Sequence, residues 1–186
     1  MNTRLFAALA ALAALTFSAA ASAQGYAVVS AGSSKLDVDC TGTTSCDSSG
    51  TGFKLLGGYK FQPNMAVELG YFDFGKATAS LGAATAENKN SAFGAGIAFH
   101  HNISPNWPIV ARLGIAQVKT TISGSFPGFG SASDSESNAA LYGGLGIGYR
   151  LSPTVSIDGT WDFSKSEYGG ETGNISVFSV GLTFWF

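Results

Sequence analysis

Charge is scarce in this sequence: Asp, Glu, Lys and Arg make up only 12% of its 186 residues, about half the share usual in a soluble globular domain. Ten basic side chains stand against twelve acidic ones. No basic stripe is left to displace phosphate counterions, which argues against nucleic acid as a partner. Cysteine is limited to Cys40 and Cys46; two thiols without a neighbouring histidine make a poor zinc set. No apolar run reaches the roughly 20 residues of a membrane-spanning helix. Beyond Gln24 no window of eleven or more residues keeps a helical apolar repeat, which sets a helical domain aside.

The start of the chain has its own character. Arg4 gives a positive n-region, residues 5–17 form an apolar run of thirteen, and Ala21-Ser22-Ala23 is a small-x-small cleavage site. Residues 1–23 are expected to be a cleaved signal peptide, leaving a mature domain of 163 residues, 24–186, with nine basic and twelve acidic groups and a formal charge of −3. In an exported chain, Cys40 and Cys46, with five residues between them, predict a local disulfide. Closing so short a loop is worth about 2 kcal/mol and stiffens the loop more than it holds the fold.

From there on, apolar residues alternate with a period of two. Phe178, Val180, Leu182, Phe184 and Phe186 point one way, and Val177, Ser179, Gly181, Thr183 and Trp185 the other. Val155, Ile157, Gly159, Trp161 and Phe163 likewise oppose Ser156, Asp158, Thr160, Asp162 and Ser164. The pattern recurs around Phe53 to Phe61, Val67 to Tyr71, Phe93 to Phe99, Ala111 to Ile115 and Leu141 to Tyr149. With a first strand near Tyr26 to Ser33, whose register the pattern leaves open, the count is about eight. Three connections are short and carry proline: Gln62-Pro63-Asn64, residues 102–108, and Ser152-Pro153. The other four, roughly 34–50, 77–90, 121–137 and 166–173, are Gly/Ser/Thr-rich and are expected to be long polar loops.

The cost of charge decides which face meets which medium. If the apolar set faced inward, Lys54, Glu68, Arg112, Arg150, Asp158 and Asp162 would face outward. In lipid, a basic side chain at the midplane costs about 2 to 4 kcal/mol, a large part of a net stability of about 5 to 15 kcal/mol. Facing inward, the six can pair. A soluble lipocalin-like or avidin-like barrel would reverse this arrangement. Against it stand strands of about 9–11 residues, the length of a tilted span. Aromatic residues also gather at both strand ends, and the sequence ends on Phe184-Trp185-Phe186.

The eight-strand plan, the Gly58-Tyr59-Lys60-Phe61-Gln62-Pro63 and Gly148-Tyr149-Arg150-Leu151-Ser152-Pro153 segments, Ala66-Val67-Glu68-Leu69-Gly70-Tyr71 and the terminal Phe186 resemble the small outer-membrane barrels of the OmpA and OmpX type. The resemblance runs from Gln24 to the end. It implies an all-β, transmembrane, antiparallel up-and-down barrel in the bacterial outer membrane, among lipids and lipopolysaccharide. It also implies that Phe184 and Phe186 form the signal read by the barrel assembly machinery. These motifs specify architecture and not activity. The peptidoglycan-binding domain that follows the barrel in OmpA proteins is not expected, nor is cell-wall anchoring through it.

An eight-stranded interior is just wide enough for side chains to fill. The six lumen charges are therefore expected to form a pairing network, with Glu68 and Asp158 as candidate acceptors from Lys54, Arg112 or Arg150. A gated ion path through the same residues is the functional alternative. His100, His101 and Ser104 resemble part of a lipid A acyl-transfer or deacylation set, but no acid lies nearby and they sit by a short turn. Asp37, Asp39 and Asp47, and Asp134 and Glu136, lack the spacing of a calcium loop. No catalytic set, cofactor or metal site is expected. The expected function is a non-enzymatic barrel with an envelope-integrity role and surface loops that meet a ligand, in the manner of an adhesin. A narrow channel for ions or small apolar solutes is the alternative, and lipid A modification a third.

Overall fold

The computed structural model describes residues 24–36, 44–82, 84–126, 128 and 130–186. The expected signal peptide, Asp37, Asp39 and Cys40 lie outside them. Among the described residues nine strands form: β1 (Gly25–Leu36), β2 (Ser45–Asp47), β3 (Ser49–Gln62), β4 (Met65–Leu81), β5 (Ala84–Ser104), β6 (Trp107–Phe126), β7 (Gly130–Ser152), β8 (Val155–Tyr168) and β9 (Glu171–Trp185). Eight of them pair antiparallel with their neighbours and close into a ring, while the short β2 lies against the outer part of β4. The expected up-and-down eight-strand barrel is present.

Register partners give the geometry of closure. Stepping from Gly25 to Tyr59, Val67, Ile97, Leu113, Gly143, Phe163 and Ser176 leads back to β1 at Lys35, ten residues beyond the start. Such a stagger over eight strands tilts them by about 35–45° and leaves an interior that side chains can fill.

At one end, three two-residue tips join the strands: Pro63-Asn64 between the pair Gln62 and Met65, Pro105-Asn106 between Ser104 and Trp107, and Pro153-Thr154 between Ser152 and Val155. Each is preceded by a register shift. Proline fixes the first turn position and needs no ladder donor there. The ring closes at this same end, where the Gly25 and Phe186 amides exchange bonds of 3.1 and 3.0 Å.

The other end departs from the sequence expectation. Most of the four segments expected as polar loops continue the ladder: β4 pairs β5 out to Leu81 and Ala84, β6 pairs β7 out to Phe126 and Gly130, and β8 pairs β9 to Tyr168 and Glu171. Strands of 20 to 23 residues in β5, β6 and β7 replace the expected 9–11. Beyond the membrane both faces meet water, so the apolar alternation that marks a half-buried strand disappears although the backbone ladder continues. One irregularity corrects the register in β4. Gly75 adopts φ +75° and its amide donates to Asp73 Oδ1 at 2.8 Å, giving a bulge between Asp73 and Lys76 that moves the outward set from Tyr71 and Asp73 to Lys76 and Thr78.

The faces divide as expected. Leu55, Leu69, Phe93, Leu113, Leu141, Trp161 and Phe178 point out and are each more than half exposed, whereas Lys54, Glu68, Arg112 and Asp162 are buried inside. A continuous greasy belt around a buried polar core suits lipid and not water.

Candidate functional site

The interior is built from alternate residues of every ring strand. Glu68 on β4 faces Arg112 on β6, whose Nε donates to Oε1 and Oε2 at 3.2 and 3.0 Å. Tyr26 on β1 donates its hydroxyl to Glu68 Oε1 at 2.6 Å, and His100 Nε2 lies 3.0 Å from that hydroxyl. A second cluster lies across the lumen. Lys54 on β3 pairs with Asp162 on β8 and also donates to Thr160 Oγ1 at 3.0 Å. Thr160 in turn donates to Asp162 at 3.0 Å and meets Ser179 at 2.9 Å, which reaches Ser30 at 3.3 Å. A charge held out of water is costly unless paired and hydrogen-bonded, and these two pairs meet that requirement.

Not all six charges enter these clusters. Asp158 accepts from Thr183 at 2.6 Å and from Ser156 at 3.2 Å, with no basic partner among the described residues. The candidate pairing of Asp158 with Lys54, Arg112 or Arg150 is therefore absent, and Lys54 pairs with Asp162 instead. Asp158 and Asp162 share a face of β8 but stand about 13 Å apart along the strand, and only Asp162 is level with Lys54. Arg150 reaches Asn102 Oδ1 at a marginal 3.5 Å near the short-turn rim.

Apolar layers close the interior on both sides. Toward the short turns, Tyr26 and Trp185 pack with ring centroids 4.8 Å apart, and Lys60 Nζ lies 4.2 Å over the Trp185 ring. Toward the long hairpins, Phe72 packs on Tyr142 at 4.7 Å, and Phe74, Val118, Ile175 and Val177 are buried beyond them. Beside the charged clusters lie voids of about 20 Å³ next to Tyr26 and Arg112 and about 10 Å³ next to Lys54 and Asp162. A single water needs roughly 10–15 Å³. His100, expected in a polar turn, is buried in the lumen beside Tyr26, while His101 stays outside. Strand parity puts His100 on the face opposite Phe93, Ala95, Ile97 and Phe99, and it is on that inward face in the structure. Tyr26 was out of reach because the first strand's register was open.

The hairpins form the second feature. From Ile115, in the greasy belt, β6 runs eleven more residues to Phe126, about 36 Å along the strand and, when tilted, about 25–30 Å above the level of Ile115. Its outward face carries a ladder of hydroxyls, with Thr121 opposite Ser135, Ser123 opposite Ser133 and Ser125 opposite Ser131. Lys76 pairs with Glu87 at 2.6 Å and Lys89 with Asp73 at 3.3 Å on the same sheet. Asp134 and Glu136 accept from Tyr168 Oη and the Gly169 amide at 3.0 and 2.9 Å, tying the β8–β9 tip to β7. Asp47 caps the Ser49 amide at 3.0 Å. Cys46 lies on β2 opposite Ala79, and its expected partner Cys40 is outside the described residues. Among the described residues no group of three His, Cys, Asp or Glu side chains could hold a metal ion. Phe184 and Phe186 stand on the outward face at the short-turn end.

A family model described as an outer membrane protein beta-barrel domain matches residues 5–186. No curated protein matches the sequence. Among solved structures, the chain is similar to Ail, the attachment invasion locus protein of Yersinia pestis, with 20% identity, 88% of this chain and 99% of that one covered and a TM-score of 0.57. Neisserial surface protein A aligns at 14% identity, covering 87% and 97%, with a TM-score of 0.63. The N-terminal barrel of Pseudomonas aeruginosa OprF aligns at 10%, covering 89% and 100%, with a TM-score of 0.56. At these identities the likeness shows the fold.

Proposed function

Because the chain belongs to the outer membrane protein beta-barrel domain family, we propose that it is a non-enzymatic barrel of the bacterial outer membrane that presents a rigid hairpin platform to a surface ligand and adds to envelope integrity. The observation that carries this reading is the ladder that runs from the greasy belt to the outer ends of the hairpins in β4 to β7, interrupted at the Gly75 bulge of β4. A loop ordered in advance binds without the entropy cost of ordering at contact. The filled interior supports a structural role for the six lumen charges.

The remaining parts fit this reading. Residues 1–23 act as the export signal and are removed. Cys40 and Cys46 form the local disulfide of an exported chain. Phe184 and Phe186 are read by the assembly machinery, and lipids and lipopolysaccharide surround the belt. Ail has been seen with the heparin analogue sucrose octasulfate. In this chain Lys76 and Lys89 are already paired with Glu87 and Asp73, which favours a ligand read by hydroxyls over a polyanion.

Replacing residues 123–133 by a two-residue turn tests the proposal. Cells displaying the shortened protein, confirmed as folded by heat-dependent gel mobility, should lose the attachment conferred by the intact one. Undiminished attachment would place the function elsewhere. One observation favours the channel alternative: Arg112 Nη1 and Asp162 Oδ1 are buried without partners, beside the two small voids, so a thread of water could serve them.

A further inference from the structure

The barrel wall is split above the greasy belt. β7 and β8 pair only from Gly143 and Phe163 down to the short turn, while β7 stays with β6 out to Gly130 and β8 with β9 out to Tyr168. The Tyr168–Asp134 and Gly169–Glu136 bonds rejoin the two hairpins at the tip, and Ser164 Oγ donates to Leu141 O at 3.0 Å near the floor. Between floor and tip lies a cleft of about 680 Å³.

The lining of the cleft changes character with depth and height. Leu113, Leu141, Trp161 and Phe163 form its mouth, and all four belong to the outward, lipid-facing set. Tyr142 and Ile175, both from the inward face, form its back. An apolar chain in the surrounding leaflet thus enters the cleft past apolar side chains and stops at Tyr142 and Ile175. The Tyr142 hydroxyl itself is buried behind this lining and is not reached from the cleft, so Tyr142 contributes only apolar surface. At the rim stands Lys165, two residues beyond Phe163 and without a salt-bridge partner among the described residues. Glu167 follows about 7 Å further from the membrane along β8.

We propose that this cleft binds one acyl chain of an anionic outer-leaflet lipid, in this membrane lipopolysaccharide. The chain lies against Leu141, Tyr142 and Ile175, and Lys165 holds the phosphate. Lipid tails are as apolar as the cleft, so transferring a chain gains little from burial. Selection for an anionic lipid rests on Lys165.

The test uses the mature barrel refolded in detergent and 11-(dansylamino)undecanoic acid, read by energy transfer from tryptophan. Saturable binding of one probe per barrel is expected, displaced by lipopolysaccharide at lower concentration than by zwitterionic phosphatidylcholine. Lys165→Glu should weaken binding by about three- to tenfold, and Glu167→Gln should tighten it, as expected for a rim ion pair. Ala140→Trp, which fills the cleft, should abolish binding; if that variant does not fold, the exposed Lys165→Glu carries the test. Non-saturable partitioning, or affinity unchanged by Lys165→Glu, would overturn the proposal. Displacement by free fatty acid but not by lipopolysaccharide would overturn the assignment of the lipid source.

Discussion

Glu68→Gln isolates the charge at the centre of the interior. The substitution keeps the volume of the side chain and an acceptor oxygen for Tyr26, but removes the carboxylate that faces Arg112. Both side chains of this pair are 3% exposed, and Arg112 Nη1 already lacks a partner. The guanidinium would therefore remain in the lumen uncompensated, which costs about 3–5 kcal/mol, up to most of a net stability of about 5–15 kcal/mol. Arg112→Met should cost a similar amount by stranding Glu68. Removing both charges at once, as Glu68→Met with Arg112→Met, should cost clearly less than the sum, because neither charge is then left alone. Guanidinium unfolding in a fixed detergent, followed by gel mobility and by tryptophan fluorescence, measures all three variants. A loss below about 1 kcal/mol for Glu68→Gln, or additive losses in the double variant, would show that the pair does not hold the interior as described.

Leu145→Arg places a cation in the middle of the outward face of β7 and should destabilise by about 2–4 kcal/mol; a neutral result in the same unfolding assay would mean that this face is not in lipid. Gly58 has no room for a side chain, since a Cβ there would stand 2.1 Å from Tyr26 Cζ. Gly58→Val should displace that ring from Glu68 and cost about 1–3 kcal/mol, visible as a shift in tryptophan emission. Alkylation of the unfolded, unreduced mature protein should leave its mass unchanged if Cys40 and Cys46 are joined, and Cys40→Ser should lower stability by about 2 kcal/mol. A mass gain matching two alkylated thiols would remove the disulfide.

Parity made much of the barrel readable from sequence. Phe178, Val180, Leu182, Phe184 and Phe186 could only share a face, and the cost of charge in lipid put Lys54, Glu68, Arg112 and Asp162 on the other. The level at which each inward residue stands was not readable, because it depends on a ten-residue stagger that emerges only when all eight registers are fixed. Asp158 and Asp162 look equivalent by parity, and only the stagger separates them. The platform was hidden for a different reason. Ser123, Ser125, Ser131 and Ser133 are small and polar on a sheet wet on both sides, so they carry the signature of a loop while forming a ladder. The Gly75 bulge then broke the parity of β4. The cleft between β7 and β8 leaves no trace in composition, because it is a pairing that stops.

The most direct measurement is the conductance of the mature, demonstrably folded barrel in a planar bilayer. An interior closed by Tyr26 and Trp185 on one side and by Phe72 and Tyr142 on the other, with voids of about 20 and 10 Å³ between them, should give no discrete openings, and Glu68→Gln should not create them without unfolding the protein. Reproducible openings in the unaltered barrel, changed in size or frequency by Glu68→Gln, would make the buried charges a gate and contradict a filled scaffold.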